Sequence, residues 1–221
     1  HTRYGRVSWA RDVYKRQSLS VHESIVSPFM GATMMISDSK GLLNSFPVEG
    51  GENIEIKLKT TWDDTPIRYK FKIFKIVSRV IKNKQQLYVL ALTSEEVFTN
   101  ETVRVEKIQT GDPSDIVTTL IRKELKSSKQ VFGEKTKFEV RHLPGRSRPF
   151  DIIANLTKRS VSNKAVYKNV KKNKAGGKTE TKQEIKGSAG YFFWESRRGY
   201  NYFSIDALCD EQGGKFSAPD L

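Results

Sequence analysis

The alternation of apolar and polar positions is clearest over residues 53–93. Ile54, Ile56 and Leu58 alternate with Glu55, Lys57 and Lys59, a period of two that predicts a strand with one dry face. Tyr69, Phe71 and Ile73 repeat the pattern against Arg68, Lys70 and Lys72. Residues 86–93 (QLYVLALT) form an almost wholly apolar run. The link over 82–86 is short and polar, so the last two strands are expected to pair as a hairpin. Three strands can share a buried face where an isolated pair would be marginal. The pattern therefore predicts an antiparallel sheet that the rest of the chain packs on or extends.

Upstream, residues 19–26 read as a strand through Leu19, Val21 and Ile25, broken by Ser27 and Pro28. Residues 32–37 (ATMMIS) give another, with Met34 and Met35 as core and sheet filler rather than a metal or partner site. A tight turn is expected at 38–41, with Gly41 free to take positive φ. A short apolar stretch at 42–46 follows and ends at Pro47, and Gly50 and Gly51 lead into the central sheet. Trp62, Asp63, Asp64 and Pro66 form the next turn. Adjacent carboxylates on a turn point apart, so Asp63 and Asp64 read as solvated rather than as an acid–base pair. Residues 94–97 close the sheet, and 103–108 add a short strand or a strand-like exit.

At 110–113 the pattern changes period. Asp112 is a helix cap, Pro113 suits the first helical position, and Asp115 faces free amides. Ile116, Val117, Leu120, Ile121 and Leu125 recur at helical spacing. Arg122, Lys123, Lys126 and Lys129 gather toward the helix end, where they suit the dipole as a solvated face. A brief strand at 137–140 and a loop at 142–148 precede a second helix over 150–160, begun by Pro149, with Phe150, Ile153, Ala154 and either Leu156 or Thr157 facing in. Both helices are too short to stand alone. The sheet they need comes from 190–196 (GYFFWES) and 201–205 (NYFSI), with Gly199 setting the turn. Tyr191, Phe193 and Glu195 share one face, Phe192 and Trp194 the other. With bulky rings on both faces, Tyr191, Phe192, Phe193, Trp194, Tyr202 and Phe203 are the candidate interface.

Composition changes this picture little. The chain has 221 residues, 37% of them hydrophobic, and a net charge of +14. Residues 1–17 hold five Lys or Arg against one Asp, and 168–187 hold seven Lys against two Glu. Much of the charge thus lies in two segments without apolar anchors, which weakens a nucleic-acid reading. The 168–187 segment is a flexible excursion with no aromatic ring to stack a base. Residues 9–17 resemble translated read-end sequence, and 1–17 are set aside as a leader; the chain is expected to be a fragment at both ends. One cysteine, Cys209, allows no internal disulfide and no Cys-based zinc site. No run is long and apolar enough for a membrane-spanning segment, and no signal peptide is visible.

No phosphate loop, dinucleotide fingerprint, zinc-protease helix or nucleophile elbow occurs. His1, His22 and His142 are scattered, so no metal or other cofactor is expected. His142 with Asp151 as an acid–base centre lacks a nucleophile. The residues thus predict an α+β chain, mainly antiparallel β, with a β domain over 18–108 and a small α+β domain over 109–221. The expected class is a structural or interaction protein rather than an enzyme, with a basic nucleic-acid-binding module as the alternative.

The order of elements resembles the baseplate hub proteins of T4-like contractile-tailed phages. The stretches that carry it are 19–37 with the 38–41 turn, GGENIEIKLKT at 50–60, YKFKIFKI at 69–76, QLYVLALTSEEVFTN at 86–100, GDPSDIVTTLIRKEL at 111–125, RPFDIIANLTKRS at 148–160 and GYFFWESRRGYNYFSIDAL at 190–208. The resemblance implies a tail-tube-like β-sandwich or barrel domain at 18–108, with the smaller domain inserted into it. It implies a homotrimer imitating a sixfold ring, with tail-tube proteins and the tail-spike or lysozyme protein as partners. DNA would pass a central channel without specific binding. A second tube-like domain would lie beyond the chain. The location implied is the virion, with assembly in the host cytoplasm.

Overall fold

The computed structural model describes residues 14–38, 48–59, 66–82, 85–163, 168–169, 183–184 and 189–208. The turn expected at 38–41, the 42–46 stretch, Asp63 and Asp64, most of the 168–187 excursion and Cys209 lie outside the described residues. The structure is mostly antiparallel β with a few helices, an α+β fold. The chain divides into two compact units, one of His1–Glu23 with Phe29–Phe98, the other of Ser24–Pro28 with Thr99–Leu221.

The first unit is one five-stranded sheet in the order β1-β2-β5-β4-β3, curled as a half-barrel. Its strands are β1 (Tyr14–His22), β2 (Gly31–Asp38), β3 (Asn53–Leu58), β4 (Ile67–Lys82) and β5 (Gln85–Thr93). All neighbours are antiparallel. Strict alternation on β2 buries Ala32, Met34 and Ile36. They meet Tyr88, Leu90 and Leu92 of β5, Phe71 and Ile73 of β4 and Ile56 of β3. Each fully buried large side chain contributes roughly 1.5–3 kcal/mol relative to exposure. That shared face, more than strand propensity, therefore holds the unit together. Met34 is core, while Met35 lies on the opposite face in register with Val89.

Three features depart from the sequence pattern. First, β1 begins at Tyr14, so the leader boundary expected at residue 17 falls inside a strand. Tyr14, Lys15 and Arg16 pair with Asp38, Ser37 and Ile36 across a bulge before Ser18. Backbone pairing along β2 continues there without an apolar alternation to announce it. Second, residues 94–97 end the sheet as expected, but they do so by entering a helix that the sequence pattern did not announce. Ser94 donates its amide and its hydroxyl to Met30 O, and helix α1 (Glu95–Thr102) starts at once, with Glu95 and Glu96 at its positive end. Third, β4 carries register shifts between Ile73 and Lys75 and between Ile76 and Ser78. Each inserted residue, Phe74 and then Val77, moves the inward phase by one position.

The second unit is built on a three-stranded sheet, β11-β12-β7. Strands β11 (Tyr191–Ser196) and β12 (Gly199–Ser204) form the expected hairpin. Strand β7 (Gln130–Gly133) adds to β12 in parallel, an element the sequence pattern did not announce. The brief strand expected at 137–140 is instead β8 (Val140–His142), paired with β6 (Gln109–Gly111). Residues Lys168–Asn169 (β9) and Gln183–Glu184 (β10) pair antiparallel, so these four residues of the Lys-rich excursion have strand backbone.

Helix α2 (Pro113–Thr119) starts as its sequence requires: Asp112 Oδ1 accepts the Ser114 amide at 2.8 Å. It widens into a π-turn over Leu120–Glu124 and ends with Lys126 at φ 53°. Ile116, Val117, Leu120, Ile121 and Leu125 are buried as their spacing predicts. Helix α3 (Pro149–Thr157) buries Phe150, Ile152, Ile153 and Leu156. Phe150 lies 6.1 Å from Phe193 and 6.4 Å from Tyr200, ring centre to ring centre, which seats the helix on the sheet. A short helix α4 (Ile205–Leu208) follows β12.

Gly199 closes the β11–β12 turn at φ 144°. A Cβ there would stand 2.2 Å from Gln130 O, because β7 passes directly alongside. Gly199→Ala is therefore expected to cost more than an ordinary turn glycine. Loss of the cooperative unfolding transition of the second unit in thermal melts would bear this out; a wild-type melt would refute it.

Candidate functional site

The surfaces available for assembly differ between the units. In the first, β1 and β3 end the sheet, and no described strand pairs with their outer sides. Glu55, Lys57 and Lys59 are exposed on the face away from Ile56. Glu55 and Lys57 approach to 3.8 Å, a solvated pair of little energetic weight. Gly50 and Gly51 both take positive φ. The amides of Glu49 and Gly50 are taken up by the Glu52 carboxylate, at 2.8 and 3.1 Å. This glycine pair thus closes on the chain's own anion. β4 runs past the end of β3 and exposes Phe74, Val77, Val80 and Ile81.

In the second unit the six candidate interface aromatics fall on two faces. Tyr191, Phe193 and Tyr202 are buried in the unit's own core. Phe193 stacks on Tyr200 at 5.4 Å and 7°, and Tyr191 meets Tyr202 at 4.9 Å. These rings are internal and unavailable to a partner. Phe192, Trp194 and Phe203 stand half-buried on the opposite face, where Trp194 packs on Phe203 at 6.3 Å.

Polar side chains in this unit act as long-range pins. Glu195, 1% exposed, meets Lys129 Nζ at 2.6 Å, and the same ammonium lies over the Tyr200 ring. Arg122 donates to Ser127 O at 3.0 Å. Of the four cations read as a solvated face, Arg122, Lys123 and Lys126 are exposed, and Lys129 is committed to Glu195. Glu134 accepts from the hydroxyls of Ser162 and Ser204, both at 2.7 Å. Asp112 accepts both the amide and the hydroxyl of Thr136. Asn100 Oδ1 accepts the Phe150 amide at 2.9 Å and so caps α3 from fifty positions away. The contacts of Glu134 and Asn100 span up to seventy positions, and no local motif signals them. Burial, then the Glu134 carboxylate, pushes the Tyr191 phenol upward, and burial does the same at Tyr202.

His142 and Asp151 do not form a centre. Arg148 Nε donates to Asp151 at 2.8 Å and Arg148 Nη1 to both Glu101 oxygens, while His142 is buried at the end of β8 opposite Gln109. Among the described residues no three His, Cys, Asp or Glu side chains converge as metal ligands. No described helix is long and apolar enough to cross a membrane.

No family model matches the chain, and no curated protein matches it. Among solved structures it is similar to the crystal structure of the 43 kDa tail protein of prophage MuSo2 from Shewanella oneidensis, at a TM-score of 0.47 and 7% identity over 86% of this chain and 53% of that one. The chain thus spans about half the length of that protein.

The sorting of the aromatics sets opposite expectations for two neighbours. Phe193→Ala is expected to lower stability by roughly 3–5 kcal/mol, and Trp194→Ala by roughly 1–2 kcal/mol. Equal shifts in urea midpoint would contradict the two-faced arrangement. A second expectation concerns pH. Burial, then the Arg159 charge, holds His142 below the ordinary 6.5. Between its depressed folded value and 6.5 the unfolded chain binds the extra proton. Stability is therefore full above 6.5 and lost as pH falls through that window. Urea midpoints measured from pH 7 to pH 5 should fall more steeply for the wild type than for His142→Gln.

Proposed function

We propose that this chain is a structural virion protein of a phage tail, the baseplate hub that joins the tail tube to the trimeric spike. The single observation that carries the reading is the open, curled sheet of the first unit. Its end strands β1 and β3 have no partner on their outer sides among the described residues. A sheet with two free edges and one buried face is poorly protected as a monomer. Symmetric association, edge to neighbouring edge, is the usual remedy. The sequence resemblance over 19–208 points the same way and supplies the stoichiometry of three. In this reading the tail-tube and tail-spike or lysozyme proteins are the partners, DNA passes a central channel, and the chain assembles rather than catalyses.

The alternative, a basic nucleic-acid-binding module, draws on 122–129, Arg197, Arg198 and the 168–187 segment. It is weakened by the commitment of Lys129 to Glu195. Sedimentation of the intact gene product separates the two. The hub reading expects a species of three subunits, and this chain contributes 25.2 kDa to each. A product that stays monomeric at assembly concentrations overturns it. Tight DNA binding with a steep salt slope would favour the alternative.

A further inference from the structure

Strand β7 ends the three-stranded sheet of the second unit, and the chain around it is described without a break over 85–163. The Glu134 amide donates to Tyr202 O at 3.0 Å. With the parallel register Gly133↔Tyr202, that bond fixes the phase of the ladder. Gln130 and Phe132 turn their backbone groups toward β12, and Val131 and Gly133 turn theirs away. Two amides and two carbonyls therefore line the outer side. Among the described residues, Gln130–Gly133 bond to β12 alone. Gln130 and Gly133 are exposed, and Phe132 is 37% exposed.

The fold does not account for glycine at 133. Gly133 does not take a positive φ. A Cβ there would meet Tyr202 O at 3.7 Å and Ser114 Cβ at 3.9 Å, ordinary contacts, so alanine would fit. Glycine weakens a strand, and in strands it marks places where another backbone comes close.

Charge indicates which backbone that is. Lys123 and Lys126 stand exposed before β7, Lys135 and Lys137 after it. Lys123, Lys126 and Lys135 make no ion pair with a described residue. Leaving out Lys129, which Glu195 neutralises, 122–137 hold five cations against Glu124 and Glu134. Glu124 is half-buried, and Glu134 is taken up by Ser162 and Ser204. A second copy of β7 would set cation against cation. The end strand β1 contains Lys15 and Arg16 and no acid, and β3 is neutral. A nucleic acid would satisfy the lysines, but its phosphates would meet the outward carbonyls of Val131 and Gly133, and Phe132 is the one ring on the strand.

We infer that the outer side of β7 is a docking edge for an extended acidic segment of a different protein, which pairs with the backbone of Val131 and Gly133 and sets carboxylates against Lys126 and Lys135. Backbone pairing supplies affinity there, and the cations select against self-pairing. The inference rests on the assembly reading and gives the second unit a contact with a non-identical partner.

The probe is a heptapeptide of alternating glutamate and valine, titrated into the isotope-labelled intact chain beside its lysine counterpart and duplex DNA of about 20 base pairs. The acidic peptide should bind about tenfold tighter than the basic one, and the amide resonances of Val131 and Gly133 should shift most. Val131→Pro removes only an outward donor, a position where an edge strand tolerates proline. It should lower the affinity about tenfold and leave the melting curve unchanged. Lys126→Glu/Lys135→Glu should reverse the preference toward the lysine peptide, and it decides the matter if Val131→Pro unfolds. Equal affinity for the two peptides, no shift at millimolar peptide, shifts confined to other residues, an unreversed preference in the folded double variant, or tighter binding to DNA would each overturn the inference. A trimeric product without peptide binding would sink this edge alone. A monomer that binds the acidic peptide would sink the hub reading and leave the edge standing.

Discussion

A strand at the end of a sheet leaves one row of amides and carbonyls without partners, and this constraint governs the first unit. Five strands curl far enough to bury one apolar face among themselves but do not meet at their ends. Hydrophobic burial is thereby satisfied within the unit, while among the described residues no strand pairs with the outer sides of β1 and β3. A backbone row of that kind gains more from pairing where a neighbour excludes water. The proposed role in assembly grows from this mismatch between a finished core and an unfinished hydrogen-bond ladder.

The second unit solves a different problem. Helix α3 covers its three-stranded sheet, and an aromatic cluster of Phe150, Phe193 and Tyr200 fills the space between. The segments between these elements are irregular, and carboxylates and amides tie them down. Glu195 is the most demanding of these ties. A buried carboxylate lowers stability sharply if its cation is removed, so the close approach of Lys129 fixes the chain after the π-turn against β11. Glu134 and Asp112 do the same for the segments around Ser162, Ser204 and Thr136 at lower electrostatic cost, through hydroxyl and amide donors.

Much of the local structure was legible because its causes lie within a few residues. Period-two alternation marked β3 and the first half of β4 and placed Ile56, Phe71 and Ile73 indoors, while an apolar run marked β5. Asp112 and Pro113 marked a helix start that the Ser114 amide completes. The aromatic hairpin and its two faces followed from residues 191–203 alone. Where alternation failed, as at Phe74 and Val77, the cause was an inserted residue whose effect depends on the partner strand. A bulge leaves no period of its own.

Which residues turn away from water, and where the backbone can reverse, depend on nearest neighbours along the chain and are written in the order of residues. Only the tertiary structure decided which dry face meets which. It joined β7 to β12 in parallel, set Gly199 against Gln130, capped α3 with Asn100 and sent Tyr191, Phe193 and Tyr202 inward while Phe192, Trp194 and Phe203 stayed outside. These outcomes are fixed by contacts between residues far apart in the chain, whose energies appear only after the intervening loops have closed.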